Sequence, residues 1–251
     1  MSNTVLITGA SGGLGQALAL EYAVAGRTLF LHGRDEGRLA AIAQQCRARG
    51  ATVSEVIQDL REVKAWIARL DAISRQTPID LAIVNAGVTN IAGPEGEVWE
   101  DIEQVLAVNM VAPLATVSGL LPAMRARGQG QIALVSSLSA WYGLPVTPSY
   151  CASKAAVKSY GEALRTWLAP QGVSVNVVLP GFVDTAMSDR FPASKPFLMT
   201  PAQAARRIRR GLDRNKGRIG FPIPLSWGTW LLSVLPPTIS DRIIRGIGYA
   251  G

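Results

Sequence analysis

Short apolar runs rich in valine, isoleucine and leucine alternate along the chain with longer segments of helical periodicity. Such runs are typical of parallel strands that are covered on both faces. We predict strands over 4–8, 28–31, 52–58, 81–85, 131–136 and 174–179. The predicted helices lie between them, over 15–25, 35–49, 62–76, 99–127 and 149–170. This alternation predicts right-handed crossovers, and therefore an α/β fold with a doubly wound parallel sheet of the Rossmann type, in a single domain over 1–251.

A glycine-rich segment, TGASGGLG over 8–15, follows the first predicted strand and opens the first helix. Glycine lets the backbone turn tightly and approach a ligand, and the free N–H groups at a helix start attract a pyrophosphate. Ligands of doubly wound sheets bind beyond the carboxyl ends of the strands. A plain tight turn is the alternative interpretation. We predict that the segment holds a dinucleotide through Gly9, Ser11, Gly13, Leu14 and Gly15.

The end of the second strand bears on the choice between NAD(H) and NADP(H). An acidic residue there would hydrogen-bond the ribose hydroxyls of NAD, whereas arginine can pair with a 2′-phosphate. Gly33 and Arg34 occupy this position, and Ser11 offers a hydroxyl to the same phosphate. Asp35 is close enough in sequence to compete for the ribose, but we interpret it as the N-cap of the next helix. The pattern predicts NADP(H).

Two further strand ends carry candidate cofactor contacts. Asp59 and Leu60 follow the third strand, where a carboxylate can accept from the adenine amino group; helix capping is the alternative role for Asp59. Asn85, Ala86 and Gly87 end the fourth strand, where small residues let a cofactor lie close to the backbone. We predict that all five residues contact the cofactor.

Tyr150 and Lys154 are four residues apart and lie on one face of a predicted helix. A phenol has an ordinary pKa of about 10, too high for an efficient base near neutral pH. A neighbouring ammonium lowers the pKa of a phenol by favouring the phenolate. Ser136 and Ser137 end the fifth strand, and their hydroxyls are placed to hydrogen-bond a substrate oxygen. Taken alone, the pair and the serines are also compatible with ordinary surface and strand-end positions.

The composition excludes several function classes. Cys46 and Cys151 are the only cysteines, which argues against a disulfide framework and predicts a reducing, cytoplasmic location. The single histidine, His32, lies on a predicted strand, and no cluster has metal-ligand spacing, so we expect neither a Ser-His-Asp hydrolase nor a metal site. The net charge is +7, and seven cationic residues crowd 206–218. No nucleic-acid motif accompanies this run, and we interpret it as a solvated helix face.

The joint pattern resembles the short-chain dehydrogenase/reductase family over roughly residues 4–215. The matching motifs are the segment 8–15, the triplet Asn85-Ala86-Gly87, Asn109, Ser137, Tyr150 with Lys154, and Pro180-Gly181. The resemblance implies that Ser137 positions a substrate carbonyl and that Tyr150 transfers the proton. Lys154 would lower the pKa of Tyr150 and hold the nicotinamide ribose. Asn109 would support a water-linked proton relay to Lys154.

The resemblance also implies a set of nicotinamide contacts after the sixth strand, at Pro180, Gly181, Val183 and Thr185. In relatives the segment that follows, here 186–200, is a mobile lid that shapes substrate choice. Its phenylalanine, methionine and proline content suggests a substrate with an apolar portion, and simple packing of the lid is the alternative. Members of such families are commonly homodimers or homotetramers, which we expect here too.

The C-terminal segment 219–251 diverges from the family pattern. Its first part, 219–240, contains no charged residue but includes Trp227 and Trp230, and four prolines make a membrane span improbable. Packing at a subunit interface is favoured. Peripheral contact with a membrane surface and a cover over the active site are the alternatives.

The sequence therefore predicts an NADP(H)-dependent enzyme that transfers a hydride between the cofactor and a small-molecule carbonyl or alcohol. Two alternatives stay open. One is an NAD-linked alcohol or sugar dehydrogenase of surface-polysaccharide metabolism. The other is a non-catalytic nucleotide-binding scaffold, which would have no need of Asn109, Ser137, Tyr150 and Lys154 together.

Overall fold

A parallel sheet of seven strands forms the centre of the protein. The computed structural model describes residues 3–247, so the ends of the predicted domain, 1–2 and 248–251, lie outside it. The strands are β1 (Thr4–Ile7), β2 (Thr28–Gly33), β3 (Thr52–Ile57), β4 (Leu81–Val84), β5 (Gly130–Val135), β6 (Val173–Pro180) and β7 (Arg218–Phe221). Their order across the sheet is β3-β2-β1-β4-β5-β6-β7, with every neighbouring pair parallel. The predicted fold class is confirmed.

The six predicted strands agree with β1 to β6 to within two residues at each end. The prediction missed β7, because this edge strand is half exposed and its four residues alternate between buried and accessible positions. Such a strand lacks the continuous apolar run that marks the buried strands.

Helices cover both faces of the sheet. They are α1 (Gly13–Tyr22), α2 (Glu36–Ala48), α3 (Val63–Gln76), α4 (Trp99–Leu106), α5 (Ala112–Arg127), α6 (Pro148–Leu168), α7 (Ala186–Asp189), α8 (Pro201–Asp213), α9 (Ile223–Val234) and α10 (Pro237–Gly246). The side with α1, α2 and α8 and the side with α3, α5 and α6 each pack an apolar cluster against the strands. The carboxyl ends of the strands therefore stay open between the layers, where ligands of such sheets bind.

The helix predicted over 99–127 is divided into α4 and α5 by one turn of π-helix, Ala107–Val111. The whole stretch is long and apolar enough to cross a membrane, but 56% of its most apolar window is buried inside the protein. Helix α5 packs against α3, where Trp66 Nε1 donates to Thr116 Oγ1 across 2.8 Å. The apolar character of this helix is thus explained by core packing.

The C-terminal part of the chain contains three helices, of which only the one that carries the basic run was expected. The basic run lies largely on α8, which Thr200 caps in a reciprocal box with Gln203. Ala204, Ala205 and Ile208 are buried while Arg206 and Arg207 are exposed, as expected for a solvated helix face. Helices α9 and α10 follow β7, in the segment for which only an apolar surface was predicted.

Candidate active site

The glycine-rich segment forms a tight cradle at the end of β1. Gly9 has a φ of +68°, and a Cβ there would lie 2.8 Å from Ala86 Cα, so only glycine fits between the ends of β1 and β4. A Cβ on Gly13 would meet the Thr185 side chain at 2.6 Å. The predicted residues Gly9, Gly13, Ala86 and Thr185 are thereby brought together around one space, next to the start of α1.

Hydrogen bonds fix the two strand ends that border this cradle. Thr8 Oγ1 accepts from the backbone N–H groups of Asn85 and Ala86 at 2.9 and 3.1 Å, and Asn85 Nδ2 donates to the Thr8 carbonyl at 3.1 Å. The side-chain amide of Asn85 is thus engaged by backbone, and it holds the end of β4 to the end of β1. Gly15 is buried within α1, and Leu14 packs partly against the adjoining core.

His32 ties the cradle to the two neighbouring strands. Its Nδ1 accepts from the Gly9 N–H at 3.3 Å, and its Nε2 lies 2.9 Å from the Gln58 carbonyl oxygen, so Nε2 carries the proton. Burial lowers the pKa of His32 to about 4. The side chain is a neutral structural link, in agreement with the interpretation that it is a packed strand residue.

Arg34 follows the tip of β2 and is exposed. Its guanidinium forms no hydrogen bond or ion pair with any residue between 3 and 247, so it is free to meet an anion. Ser11 lies beside the same strand tip, because a Cβ on Gly33 would be only 2.9 Å from Ser11 Oγ. Asp35 Oδ1 accepts from the Arg38 N–H at 2.9 Å and caps α2, as expected from the sequence. The carboxylate at this strand end is therefore engaged locally.

Asp59 forms an ion pair with a neighbour in its own turn. Its carboxylate holds the Arg61 guanidinium, with contacts of 2.6 Å to Nη2 and 2.9 Å to Nε, and accepts from the Arg61 N–H. This partner lowers the pKa of Asp59. The capping interpretation is wrong, because α3 begins after Glu62 without a side-chain cap. The side chain of Leu60 is buried in the core, so it presents only its backbone to the cofactor side.

Tyr150 and Lys154 lie in the first two turns of α6 and face the carboxyl end of the sheet. Lys154 is buried, its Nζ lies 5.6 Å from the centroid of the Tyr150 ring, and it donates to the Val135 carbonyl at 3.1 Å. Burial lowers the pKa of Lys154 to about 8. Burial also raises the pKa of Tyr150 to about 12, and a hydrogen bond with Ser137 opposes that rise. The Lys154 ammonium and the Ser137 hydroxyl therefore both lie next to the Tyr150 phenol.

The two serines after β5 point to different places. Ser136 is buried, and its Oγ donates to the Lys154 carbonyl at 2.7 Å, which ties the strand to α6. Ser137 begins the 3₁₀ turn Leu138–Ala140 and is partly exposed beside Tyr150. Ser136 is therefore a link between the strand and α6, whereas the Ser137 hydroxyl stays accessible at the end of β5.

Asn109 occupies the centre of the π-helical turn and is fully buried. Its Oδ1 accepts from the Val88 N–H at 2.8 Å and its Nδ2 donates to the Val88 carbonyl at 2.9 Å. A Cβ on Gly87 would lie 3.3 Å from Asn109 Oδ1 and 3.4 Å from Lys154 Nζ. Asn109, Gly87 and Lys154 therefore meet at one point, although the side chain of Asn109 is occupied by the backbone that follows β4.

The segment after β6 completes the site. Pro180 ends the strand, and Gly181 lies close to Leu138 and Leu225. Val183 is buried and pairs with Met199 at the far end of the predicted lid.

Thr185 caps the short helix α7 by accepting from the Ser188 N–H. Its side chain also borders Gly13, so it connects the segment after β6 to the glycine cradle.

Sequence reasoning missed two residues that organise the site. Glu97 accepts from the Ser149 N–H at 2.9 Å and from the Ser149 hydroxyl at 2.6 Å, so a carboxylate holds α6 directly before Tyr150. The second residue is Ser139, whose hydroxyl donates to Ser137 Oγ at 2.8 Å. The sequence feature that could have revealed it is the spacing Ser-x-Ser directly after a strand, a local pattern in which the second residue closes a turn.

Comparison with known proteins decides the family. The family model described as short chain dehydrogenase matches residues 3–195. The chain belongs to the short-chain dehydrogenase/reductase family. An uncharacterized oxidoreductase of Myxococcus xanthus is 34% identical over 96% of both chains. Ketoacyl reductase HetN of Nostoc is 30% identical over 98% of this chain and 89% of its own.

A solved structure extends the likeness to the complete fold. The short-chain dehydrogenase from Sphingobium yanoikuyae in complex with NADPH superimposes with a TM-score of 0.82, at 27% identity, over 99% of this chain and 97% of that one. Together with the family match, this makes the chain an oxidoreductase of the hydride-transferring type. A non-catalytic scaffold is thereby set aside.

Proposed function

We propose that this short-chain dehydrogenase/reductase transfers a hydride between NADP(H) and the carbonyl or alcohol carbon of a small molecule that has an apolar portion. The observation that carries the proposal is the meeting of Ser137, Tyr150 and Lys154 beside the glycine cradle. The Ser137 hydroxyl supplies a hydrogen-bond donor, the Tyr150 phenol a proton and the Lys154 ammonium a positive charge. Proton transfer to a substrate oxygen requires such a set of groups.

The residues at the strand ends fit a dinucleotide. The cradle at Gly9 and Gly13 would be filled by a Cβ at either position, and it opens onto the start of α1, where backbone N–H groups attract a pyrophosphate. The exposed guanidinium of Arg34 and the hydroxyl of Ser11 suit the 2′-phosphate that distinguishes NADP(H). When bound, NADP(H) supplies or accepts the hydride.

Tyr150 acts on the substrate oxygen. In reduction the phenol donates its proton to the oxygen as the carbonyl becomes an alcohol, and in oxidation the phenolate takes the proton back. Ser137 donates a hydrogen bond to the same oxygen and so stabilises the negative charge that develops there. Because burial raises the pKa of Tyr150 to about 12, its side chain is the protonated phenol at neutral pH.

Lys154 and Asn109 support this proton transfer. The Lys154 ammonium lies over the Tyr150 ring and is held by the Val135 carbonyl, from which it can reach a ribose hydroxyl at the cradle. Its pKa of about 8 lets it exchange a proton near neutral pH. Asn109 fixes the backbone of Val88 next to Lys154, which keeps the path between the ammonium and solvent in one geometry.

Apolar side chains border the open side of the site and support an apolar substrate portion. Phe182 and Phe191 pack with ring centroids 5.2 Å apart, and Met187 on α7 is exposed. Leu225 of α9 reaches Gly181 from the opposite side. The segment 186–200 and α9 therefore frame the entrance with apolar surface, as a lid over an apolar substrate would require.

A homo-oligomer explains the outward face of α9. Ile223, Trp227, Trp230, Leu231 and Val234 are exposed on one face, whereas the inward face carries Leu225, Ser226 and Thr229. A second copy of this chain offers the same uncharged face, which suits a two-fold interface.

The position of the basic run disfavours the membrane alternative. Arg209 binds Glu21 near the end of α1, and Arg218 begins β7, so the run lies at the amino edge of the sheet. Helix α9 begins at the opposite edge, and the arginines therefore do not flank its tryptophans. Both cysteines are free and buried, in keeping with a cytoplasmic enzyme.

A substrate panel tests the proposal. Purified protein is mixed with NADPH or NADH and a panel of ketones and aldehydes graded in apolar size, and cofactor oxidation is followed by absorbance. The proposal predicts turnover with NADPH that improves as the apolar group grows. Turnover that falls with apolar size, or that proceeds equally with NADH, contradicts it.

A further inference from the structure

The hydroxyl of Ser137 receives two hydrogen bonds from one neighbour. The Ser139 hydroxyl donates to Ser137 Oγ at 2.8 Å, and the Ser139 backbone N–H donates to the same atom at 3.2 Å. A serine hydroxyl has two acceptor lone pairs and one proton to donate. With both lone pairs occupied, the only remaining hydrogen bond that Ser137 can form is one in which it donates.

The backbone dictates this arrangement. Ser137 is the N-cap of the 3₁₀ turn Leu138–Ala140, which places the N–H of the residue two positions later on its oxygen. The hydroxyl of Ser139 then adds the second donor from the same side. Ser136 cannot take the place of Ser139 as this second donor, because the Ser136 hydroxyl donates to the Lys154 carbonyl.

We propose that Ser139 is a positioning residue that makes Ser137 a pure hydrogen-bond donor, toward Tyr150 in the free site and toward the substrate oxygen when substrate is bound. The inference rests on the proposed hydride-transfer function and names a residue that the family motif does not include. A serine free to accept would instead accept a hydrogen bond from the Tyr150 hydroxyl, which stabilises the phenol in place of the phenolate.

Few titratable groups lie next to the Tyr150 phenol. In the described chain the titratable groups next to the phenol are Lys154 and Cys151, both on its own helix. The 3₁₀ turn and the segment Asn85-Ala86-Gly87-Val88 bring no charged residue, and Asp184 after β6 is exposed. The hydrogen bond with Ser137 lowers the pKa of Tyr150 against the effect of burial.

Removal of the Ser139 hydroxyl reverses the direction of that bond. In Ser139→Ala the backbone N–H still fills one lone pair of Ser137, and the other becomes free to accept from Tyr150. We expect the apparent pKa in the pH profile of kcat/KM for alcohol oxidation to rise by about one unit, the size of one neutral hydrogen bond. Below that pKa, kcat/KM should be about tenfold lower than in the wild type.

Two companion variants separate this role from a structural one. Ser139→Thr keeps the hydroxyl and should restore the wild-type profile. Ser159→Ala removes an exposed serine from α6 and should leave the profile unchanged. If Ser139→Ala does not fold, Ser139→Cys, whose thiol is a weak donor, provides the same comparison.

A second measurement follows the ionisation of the Tyr150 phenol in the absence of substrate and cofactor. In protein labelled with carbon-13 at tyrosine Cζ, the Tyr150 signal is assigned by its loss in Tyr150→Phe and followed with increasing pH. Ser139→Ala should show less phenolate at Tyr150 than the wild type at the same alkaline pH, and Ser139→Thr should match the wild type. Equal phenolate in wild type and Ser139→Ala overturns the inference. Failure of the wild type on every substrate would instead refute the proposed function, and the two failures are thus distinguishable.

Discussion

His32 Nδ1 accepts the backbone N–H of Gly9 across 3.3 Å, although the two residues are 23 positions apart in the chain. The bond requires a neutral imidazole, because a protonated ring has no lone pair with which to accept. The opposite nitrogen is held by the Gln58 carbonyl. The position of the glycine cradle therefore depends on the protonation state of one buried side chain.

This link predicts a loss of stability in mild acid. The pKa of His32 is lowered from 6.5 to about 4, so below pH 6.5 the unfolded chain binds a proton that the folded chain excludes. The free energy of unfolding contributed by His32 is complete above pH 6.5 and declines as the pH falls toward 4. Between about pH 7 and about pH 5 the decline should be about 2 kcal/mol. Urea unfolding at both pH values measures it.

The matched variant is His32→Gln, whose amide can accept from Gly9 and donate to Gln58 without titrating. Between the same two pH values, the free energy of unfolding of His32→Gln should fall by about 2 kcal/mol less than that of the wild type. The remaining acid sensitivity of the protein is common to both. An identical pH dependence in the two proteins would show that His32 does not set it.

Arg34 should determine the choice of cofactor. Its guanidinium is exposed and unpaired within residues 3–247, and Asp35 is engaged at the cap of α2. NADPH should bind at least about 10-fold more tightly than NADH, a difference of about 1.4 kcal/mol. Arg34→Ala should remove most of the difference by weakening NADPH alone, as measured by fluorescence titration. Arg38→Ala, on the same helix start, is the control. Retention of the preference in Arg34→Ala would contradict the assignment.

Lys154 should affect cofactor binding as well as turnover. Its Nζ lies beside both the Tyr150 ring and the space in front of Gly87. Lys154→Met keeps the length of the side chain and removes the charge. It should weaken NADPH binding several-fold and lower kcat by at least about 100-fold. An unchanged dissociation constant for NADPH, measured by calorimetry, would show that Lys154 acts on the Tyr150 phenol but does not contribute to cofactor binding.

The outward face of α9 should mediate self-association. Trp227 is 65% exposed and packs edge-to-face with Trp230 at 5.6 Å between centroids. The double variant Trp227→Ala/Trp230→Ala should form a smaller oligomer than the wild type in sedimentation experiments. Trp167→Ala, an exposed tryptophan on α6, serves as the control. Binding of the intact wild-type oligomer to anionic vesicles, weakened by salt, would favour a membrane surface instead.

Sequence reasoning succeeded where a local pattern determines the structure. The glycine segment, the strand ends and the i, i+4 pair of Tyr150 and Lys154 are each readable over a few residues, and topology then brings the strand ends together. Asp35 was predicted as a helix cap for the same reason: its partner, the Arg38 N–H, is three residues away.

The features that were missed depend on geometry that no short pattern contains. Strand β7 is an edge strand with few apolar residues, so it lacks the apolar run of a buried strand. Helix α9 has helical spacing of apolar residues on its exposed face, but Pro222 and Pro224 at its start and Pro236 and Pro237 after it indicated an interrupted segment. The ion pair of Asp59 with Arg61 and the bond of Ser139 to Ser137 depend on side-chain directions within turns. Those directions follow from backbone angles that the sequence alone does not reveal.

The most direct test of the mechanism is the variant Tyr150→Phe, which removes one hydroxyl from the site and leaves the ring beneath Lys154 in place. The measurement compares kcat on a reactive carbonyl with the dissociation constant of NADPH, in wild type and variant. The account predicts that kcat falls by at least about 100-fold while NADPH affinity changes by less than about twofold. Near-normal turnover by Tyr150→Phe would show that another group transfers the proton.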